Sequence, residues 1–105
     1  MTEKKQFNSF EEMLSGSDLP VLVDFYADWC GPCQMMGTIL QQVNNQLKDR
    51  IRIVKIDTEK YTELATQYQI AALPTLVLFK QGKPVDRIEG VLQTPDLVRR
   101  LQSFV

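Results

Sequence analysis

The longest hydrophobic pattern in the chain is apolar on both sides of a two-residue alternation. Val21-Leu22-Val23-Asp24-Phe25-Tyr26-Ala27 breaks that pattern only at Asp24, as expected of a central strand covered by helices on both faces, and Pro20 opens it. After Cys33 the period lengthens to that of a helix: Met36, Leu40, Val43 and Leu47 fall on one stripe, with Met35 and Ile39 beside it. Ile51-Arg52-Ile53-Val54-Lys55-Ile56-Asp57 reads as a second buried strand, followed by a short helix on which Tyr61, Leu64, Ala65 and Tyr68 share a face. Strand, helix, strand, helix in that order predicts a parallel crossover pair. Thr75-Leu76-Val77-Leu78-Phe79 and Val85-Asp86-Arg87-Ile88-Glu89 read as strands joined by Lys80-Gln81-Gly82-Lys83-Pro84, a connection short enough for an antiparallel hairpin. Helices close both ends of the chain. Ser9 caps one over Phe10-Glu11-Glu12-Met13-Leu14, with Glu12 in the capping-box position and Gly16 as its stop. Thr94 caps the last, with Pro95 at the first helical position and Leu97, Val98 and Leu101 buried. The sum is an α/β fold, a mixed sheet with helices on both faces.

With 105 residues, this pattern fills one domain, 1–105. A chain of that length buries only about 60–70% of its unfolded surface and has no apolar residues to spare for a second core. Hydrophobic residues at 44% and charged residues at 24% exclude disorder, collagen and coiled coil. Twelve basic against thirteen acidic residues give a net charge of -1 with no run of either sign, which points away from nucleic acid and anionic membrane and toward proteins or small molecules. Met1-Thr2-Glu3-Lys4-Lys5-Gln6 lacks the apolar core of a signal peptide, and no apolar run approaches the ~20 residues that span a bilayer. The expected location is the cytoplasm, or a plastid stroma if a transit peptide has been removed.

Two cysteines three positions apart would close too small a loop to stabilise the fold much, so their chemistry has to be sought elsewhere. Cys30-Gly31-Pro32-Cys33 lies where a buried strand gives way to a helix. That junction sets the first sulfur beside unpaired amides at the positive end of the helix dipole and lowers the Cys30 thiol pKa. The thiolate attacks a disulfide, and Cys33, inside the first turn, resolves the mixed disulfide and releases product. Gly31 permits a close partner chain, and Pro32, at the first helical position, gives up only a donor that would go unused. The same spacing fits half a zinc site, but the chain has no histidine and no third cysteine, so a metal would need carboxylates or a second subunit. Asp24 is the other anomaly. On an exposed pleat position it would be ordinary, but Leu22 and Tyr26 share its side, and burial would raise its pKa toward neutrality, where a carboxyl can exchange a proton. Lys55 is its nearest plausible charge partner, or else an outward-facing strand residue. Pro74 marks a sheet edge, a bend or a cis bond, and Leu73-Pro74-Thr75 could offer free backbone to an extended peptide. Trp29, beside Cys30, suits an apolar docking surface better than a core.

Taken together, Val21 through Cys33, Leu73-Pro74-Thr75, Phe79-Lys80-Gln81-Gly82 and Gly90 resemble the thioredoxin family over essentially the whole chain. Lys55-Ile56-Asp57-Thr58-Glu59-Lys60-Tyr61, Ala72-Leu73-Pro74-Thr75 and Asp86-Arg87-Ile88-Glu89-Gly90 look most like the y-type thioredoxins of cyanobacteria and plastids. The resemblance implies a five-stranded mixed sheet flanked by four helices, and a monomeric protein-disulfide reductase with no cofactor beyond the redox-active Cys30–Cys33 disulfide. It implies Cys30 as attacking thiol, Cys33 as resolving thiol, Asp24 as proton acceptor for Cys33 assisted by Lys55, and Pro74 as a cis-proline facing the disulfide. The substrate groove would be bounded by Trp29, Gly31, Pro32, Ala72, Leu73, Pro74, Gly90 and Val91. Partners would be a thioredoxin reductase, ferredoxin- or NADPH-dependent, and disulfide-bearing proteins such as peroxiredoxins. Gln34 stands where a basic residue is common in the family, Tyr26 where tryptophan is frequent, and Gly37-Thr38 where a proline often kinks the helix, departures that bear on partner choice rather than reaction class.

Overall fold

The computed structural model describes residues 2–105, with side chains from Ser9 onward. Its elements run α1 (Thr2–Ser15), β1 (Val21–Tyr26), α2 (Gly31–Leu47), β2 (Arg52–Asp57), α3 (Thr62–Gln67), β3 (Thr75–Lys80), β4 (Lys83–Glu89) and α4 (Thr94–Gln102). One sheet in the order β2-β1-β3-β4 carries them, with β1 parallel to β2 and antiparallel to β3, and β3 antiparallel to β4. The crossover through α2 is what allows β1 and β2 to run parallel, because two parallel neighbours cannot be joined by a tight turn.

Alternation along the strands sorts side chains onto two cores. Leu22, Leu76, Leu78 and Ile88 face α2 and α4, packing with Met36, Leu40, Val43, Leu47, Leu97 and Leu101. Val21, Val23, Phe25, Val77 and Phe79 face the other way, packing with Phe10 and Leu14 of α1 and Leu64 of α3. Tyr68, just past α3, fixes that second core through ring contacts with Phe10, Phe25 and Phe79 at 5.3–6.1 Å. β1 is buried from Val21 to Phe25, as a strand covered on both faces must be.

Several expectations need correction. The sheet has four strands rather than five among the described residues: the chain ahead of β1 is helical from Thr2, so it supplies no strand to pair outside β2. Ser9 therefore lies within α1 and is no cap. β2 is an edge strand, half-exposed with only Ile56 buried, not a second buried strand. Met35 is 55% exposed, because the buried stripe of α2 passes through Met36 and Ile39 instead. The hairpin turn is only Gln81-Gly82, both at positive φ (53° and 82°), the geometry whose twist matches two antiparallel strands. Pro84 consequently falls inside β4, an edge strand, where a residue without N–H is tolerated. Gln93, not Thr94, precedes the first turn of α4, and the Thr94 hydroxyl instead donates to Gln42 Oε1 at 2.6 Å.

Candidate active site

β1 ends at Tyr26, and a turn closed by the Cys30 amide on the Ala27 carbonyl (3.2 Å) delivers the chain into α2. Cys30 itself is the N-cap: its backbone is extended, and its sulfur accepts the Cys33 amide at 3.3 Å. Sulfur thus takes the place that a serine or aspartate oxygen usually fills at a helix start. Gly31 is the first helical residue and Pro32 the second, one place later than expected, still within the turn whose amides have no intrahelical acceptor. Cys30 and Cys33 are joined in a disulfide and, with Ala27, form a small apolar cluster against which Tyr26 and Leu73 pack. Such an arrangement favours negative charge on Cys30 when the bond is open, since amide dipoles already point at its sulfur.

Beside the disulfide runs a groove of about 470 Å³, lined by Trp29, Cys30, Gly31 and Pro32 from the β1–α2 turn, by Thr58 just past β2, and by a wall of Ile70, Ala71 and Leu73. Cys30 lines it; Cys33 does not. Trp29 is 69% exposed, and its indole N–H donates to Glu59 Oε2 at 2.8 Å, tying the ring to the turn after β2. Thr58 bonds the Tyr26 carbonyl through both its amide (2.9 Å) and its hydroxyl (3.0 Å), locking the ends of β1 and β2 together.

Of the residues expected around the groove, Trp29, Gly31, Pro32 and Leu73 line it. Ala72 is exposed next to it in the chain, and its carbonyl accepts the Thr75 hydroxyl at 2.6 Å. Pro74 is buried behind a cis Leu73–Pro74 bond, and its carbonyl accepts the Gly90 amide at 2.9 Å. Gly90 is therefore tied to the wall through backbone, at φ +86°, while Val91 turns away to pack against the core under α2 and α4. Thr58, Glu59, Ile70 and Ala71 join the site only through the fold. Ile70 carried the one usable signal, an apolar side chain stranded between the α3 stripe and Pro74.

Asp24 is completely buried on the sheet face covered by α2, which rejects the exposed-pleat reading, and neither carboxyl oxygen has a hydrogen-bond partner among the described residues. Burial pushes its pKa up to about 6, against the downward pull of the Lys55 ammonium. Lys55 is the residue opposite Asp24 in the β1–β2 register, and its side chain is exposed, with Nζ 4.7 Å from the Tyr26 ring centroid. A Cβ placed on Gly37 would lie 3.6 Å from that Nζ, so the glycine leaves the flank of the ammonium open. No three His, Cys, Asp or Glu side chains gather to hold a metal among the described residues.

Comparison with known proteins matches residues 1–103 to the thioredoxin family model. A thioredoxin-like protein of Synechocystis sp. is 65% identical over 105 residues, the full length of both chains. Chloroplastic thioredoxin Y2 of Arabidopsis thaliana is 59% identical over 101 residues, covering 96% of this chain and 60% of that protein. The crystal structure of chloroplastic thioredoxin z superimposes with a TM-score of 0.83 at 33% identity, covering 91% of this chain and 87% of the other.

Proposed function

The chain belongs to the thioredoxin family, and within the thiol–disulfide oxidoreductase activity that this membership brings, we propose an ordered division of labour between its two cysteines. It is a disulfide reductase whose redox group is its own cysteine pair, with no further cofactor. The reading rests on one observation: Cys30 lines the groove and Cys33 does not. In the dithiol form the Cys30 thiolate attacks one sulfur of a substrate disulfide. The substrate S–S bond breaks, one substrate thiolate leaves, and a mixed disulfide forms. Cys33 then loses its proton to Asp24 and attacks the Cys30 sulfur, expelling the second substrate thiolate. The substrate gains two electrons and the protein is left as the Cys30–Cys33 disulfide.

Asp24 suits the proton step because a carboxyl with a pKa of about 6 is ionised at pH 7 yet basic enough to take a proton from a thiol. Lys55 assists by keeping that carboxyl from rising further. Trp29, Gly31, Pro32 and Leu73, with Ala72 beside them, hold the substrate chain, and Pro74 and Gly90 support the far wall from behind. Electrons return from a thioredoxin reductase, ferredoxin- or NADPH-dependent, and peroxiredoxins are among the targets; the likeness to cyanobacterial and chloroplastic relatives supports a cyanobacterial cytoplasm or plastid stroma as the place.

Insulin reduction with dithiothreitol as electron source tests the assignment. Cys30→Ser should abolish catalysis, whereas Cys33→Ser should hold substrate proteins as mixed disulfides on Cys30. Full activity of Cys30→Ser, or no trapped protein on Cys33→Ser while the wild type turns over, would overturn the roles.

A further inference from the structure

Between α3 and β3 the chain from Ile70 to Pro74 has no regular secondary structure, yet it supplies Ile70, Ala71 and Leu73 to the groove. Among the described residues, the amides of Ala71, Ala72 and Leu73 donate to no backbone carbonyl, so its position is set from its two ends. The downstream end is tied by the Thr75 hydroxyl on the Ala72 carbonyl and the Gly90 amide on the Pro74 carbonyl. The upstream end is more demanding. The chain leaves α3 through Gln69 in the left-handed region (φ 55°), a conformation glycine adopts easily and glutamine does not, with the Ile70 amide folding back to the Ala65 carbonyl at 2.9 Å.

Arg87 reaches this exit from the neighbouring layer. It lies on β4 opposite Val77, on the α1/α3 side of the sheet, and its guanidinium donates to the Tyr68 carbonyl at 2.5 Å and the Gln69 carbonyl at 2.6 Å. Carbonyls at a helix end lack intrahelical donors, and a planar fork that serves two at once fixes their direction as well as their distance. Tyr68 is in turn locked by the aromatic core, so the guanidinium joins the start of the groove wall to a rigid part of the molecule. Glu89, 3.5 Å from the same guanidinium, steadies it from the outside.

We propose that Arg87 is a positioning residue for substrate recognition: by clamping the Tyr68 and Gln69 carbonyls it pre-sets the Ile70–Leu73 wall on which an extended protein substrate lies, without touching the reacting sulfurs. The proposal rests on the disulfide reductase reading and assigns one determinant of how protein disulfides, as distinct from small-molecule ones, are taken up. A wall held in place lowers the ordering cost of docking a peptide, whereas a small disulfide needs only access to Cys30.

The test compares rate constants of the reduced wild type, Arg87→Ala and Arg87→Lys toward insulin and toward 5,5′-dithiobis(2-nitrobenzoate). Arg87→Ala should lose about tenfold toward insulin and stay within twofold toward the small disulfide, the loss expected when about 1.4 kcal/mol of preorganisation goes. Lysine should not rescue, because a single ammonium cannot serve two carbonyls in the fork geometry. Equal losses on both substrates, or none on insulin, would overturn the clamp. Amide hydrogen exchange of the oxidised protein gives a second readout that requires no activity: in Arg87→Lys the amides of Tyr68, Gln69 and Ile70, bonded to the Leu64, Thr66 and Ala65 carbonyls, should exchange faster while those of β3 are unchanged, and unchanged exchange at residues 68–70 would equally overturn it. Failure of the wild type itself to reduce insulin would strike the reductase reading instead and leave the exchange result standing.

Discussion

Replacing Asp24 by asparagine should make the protein more stable at pH 8 and leave it nearly unchanged at pH 4. Asparagine is close in shape to a protonated aspartate, so the two proteins differ in cost only when Asp24 is ionised. In the folded state the carboxyl holds its proton up to about pH 6, against 3.8 as its ordinary value. Between those limits the folded protein binds more protons than the unfolded chain, so stability falls as pH rises through the window. Below about 3.8 the penalty is absent, and above about 6 it is complete. At about 1.4 kcal/mol per pH unit, the displacement from 3.8 to about 6 corresponds to about 3 kcal/mol. Urea unfolding of both oxidised proteins at half-unit steps from pH 4 to 8 would measure it. With a slope of about 1.5 kcal/mol per molar, the midpoint of Asp24→Asn should exceed that of the wild type by roughly 2 M at pH 8. A gap that does not vary with pH, or a variant less stable than the wild type at pH 8, would refute the idea that the buried carboxylate is a burden on the fold.

Three further outcomes follow from the same structure. Gly82→Ala should cost about 1–3 kcal/mol in urea unfolding, since the residue sits at φ +82° and a Cβ would meet Ser15 Cβ at 3.2 Å and its Cα at 3.3 Å; Gly31→Ala, where a Cβ meets nothing within 4 Å, should leave the midpoint in place. Arg100→Met should cost at most about 1 kcal/mol at pH 7, because the Arg100–Asp86 pair is partly exposed, although it is paired through two 2.9 Å bonds. Hydrogen bonding from Arg100 holds the Asp86 carboxyl below its usual range, so its contribution is present above the ordinary carboxylate pKa and fades as pH falls; a loss that grows on acidification would contradict it.

Much of this was legible in the residues because burial and backbone geometry write directly into sequence. A strand apolar on both faces can only be central, and β1 is. Asp24 within that run is an anomaly in the sequence, and the strand period puts it on the pleat side of Leu22 and Tyr26, the side that α2 covers in the structure. What escaped was set by tertiary pairing. β2 looks buried in sequence because Ile51, Ile53, Val54 and Ile56 are apolar, yet nothing pairs with its outer edge among the described residues, and Ile53 and Val54 end half-exposed. Ser9 carries a capping signal that the helical residues ahead of it override. Arg87 has no local signature at all: its meaning depends on β4 lying across the sheet from the end of α3, a juxtaposition that no window of sequence contains.

Pro84 has a consequence beyond the hairpin it ends. β4 is the outer strand on its side of the sheet, and an open outer strand is a template on which a second molecule can lengthen the sheet. Within this one, Pro84 contributes no N–H, and the register shift beside Leu78 and Phe79 interrupts the ladder a residue later. Arg52 and Lys55 place charge along the opposite border. Neither border of the sheet therefore offers an uninterrupted, uncharged ladder on which a further strand could be laid.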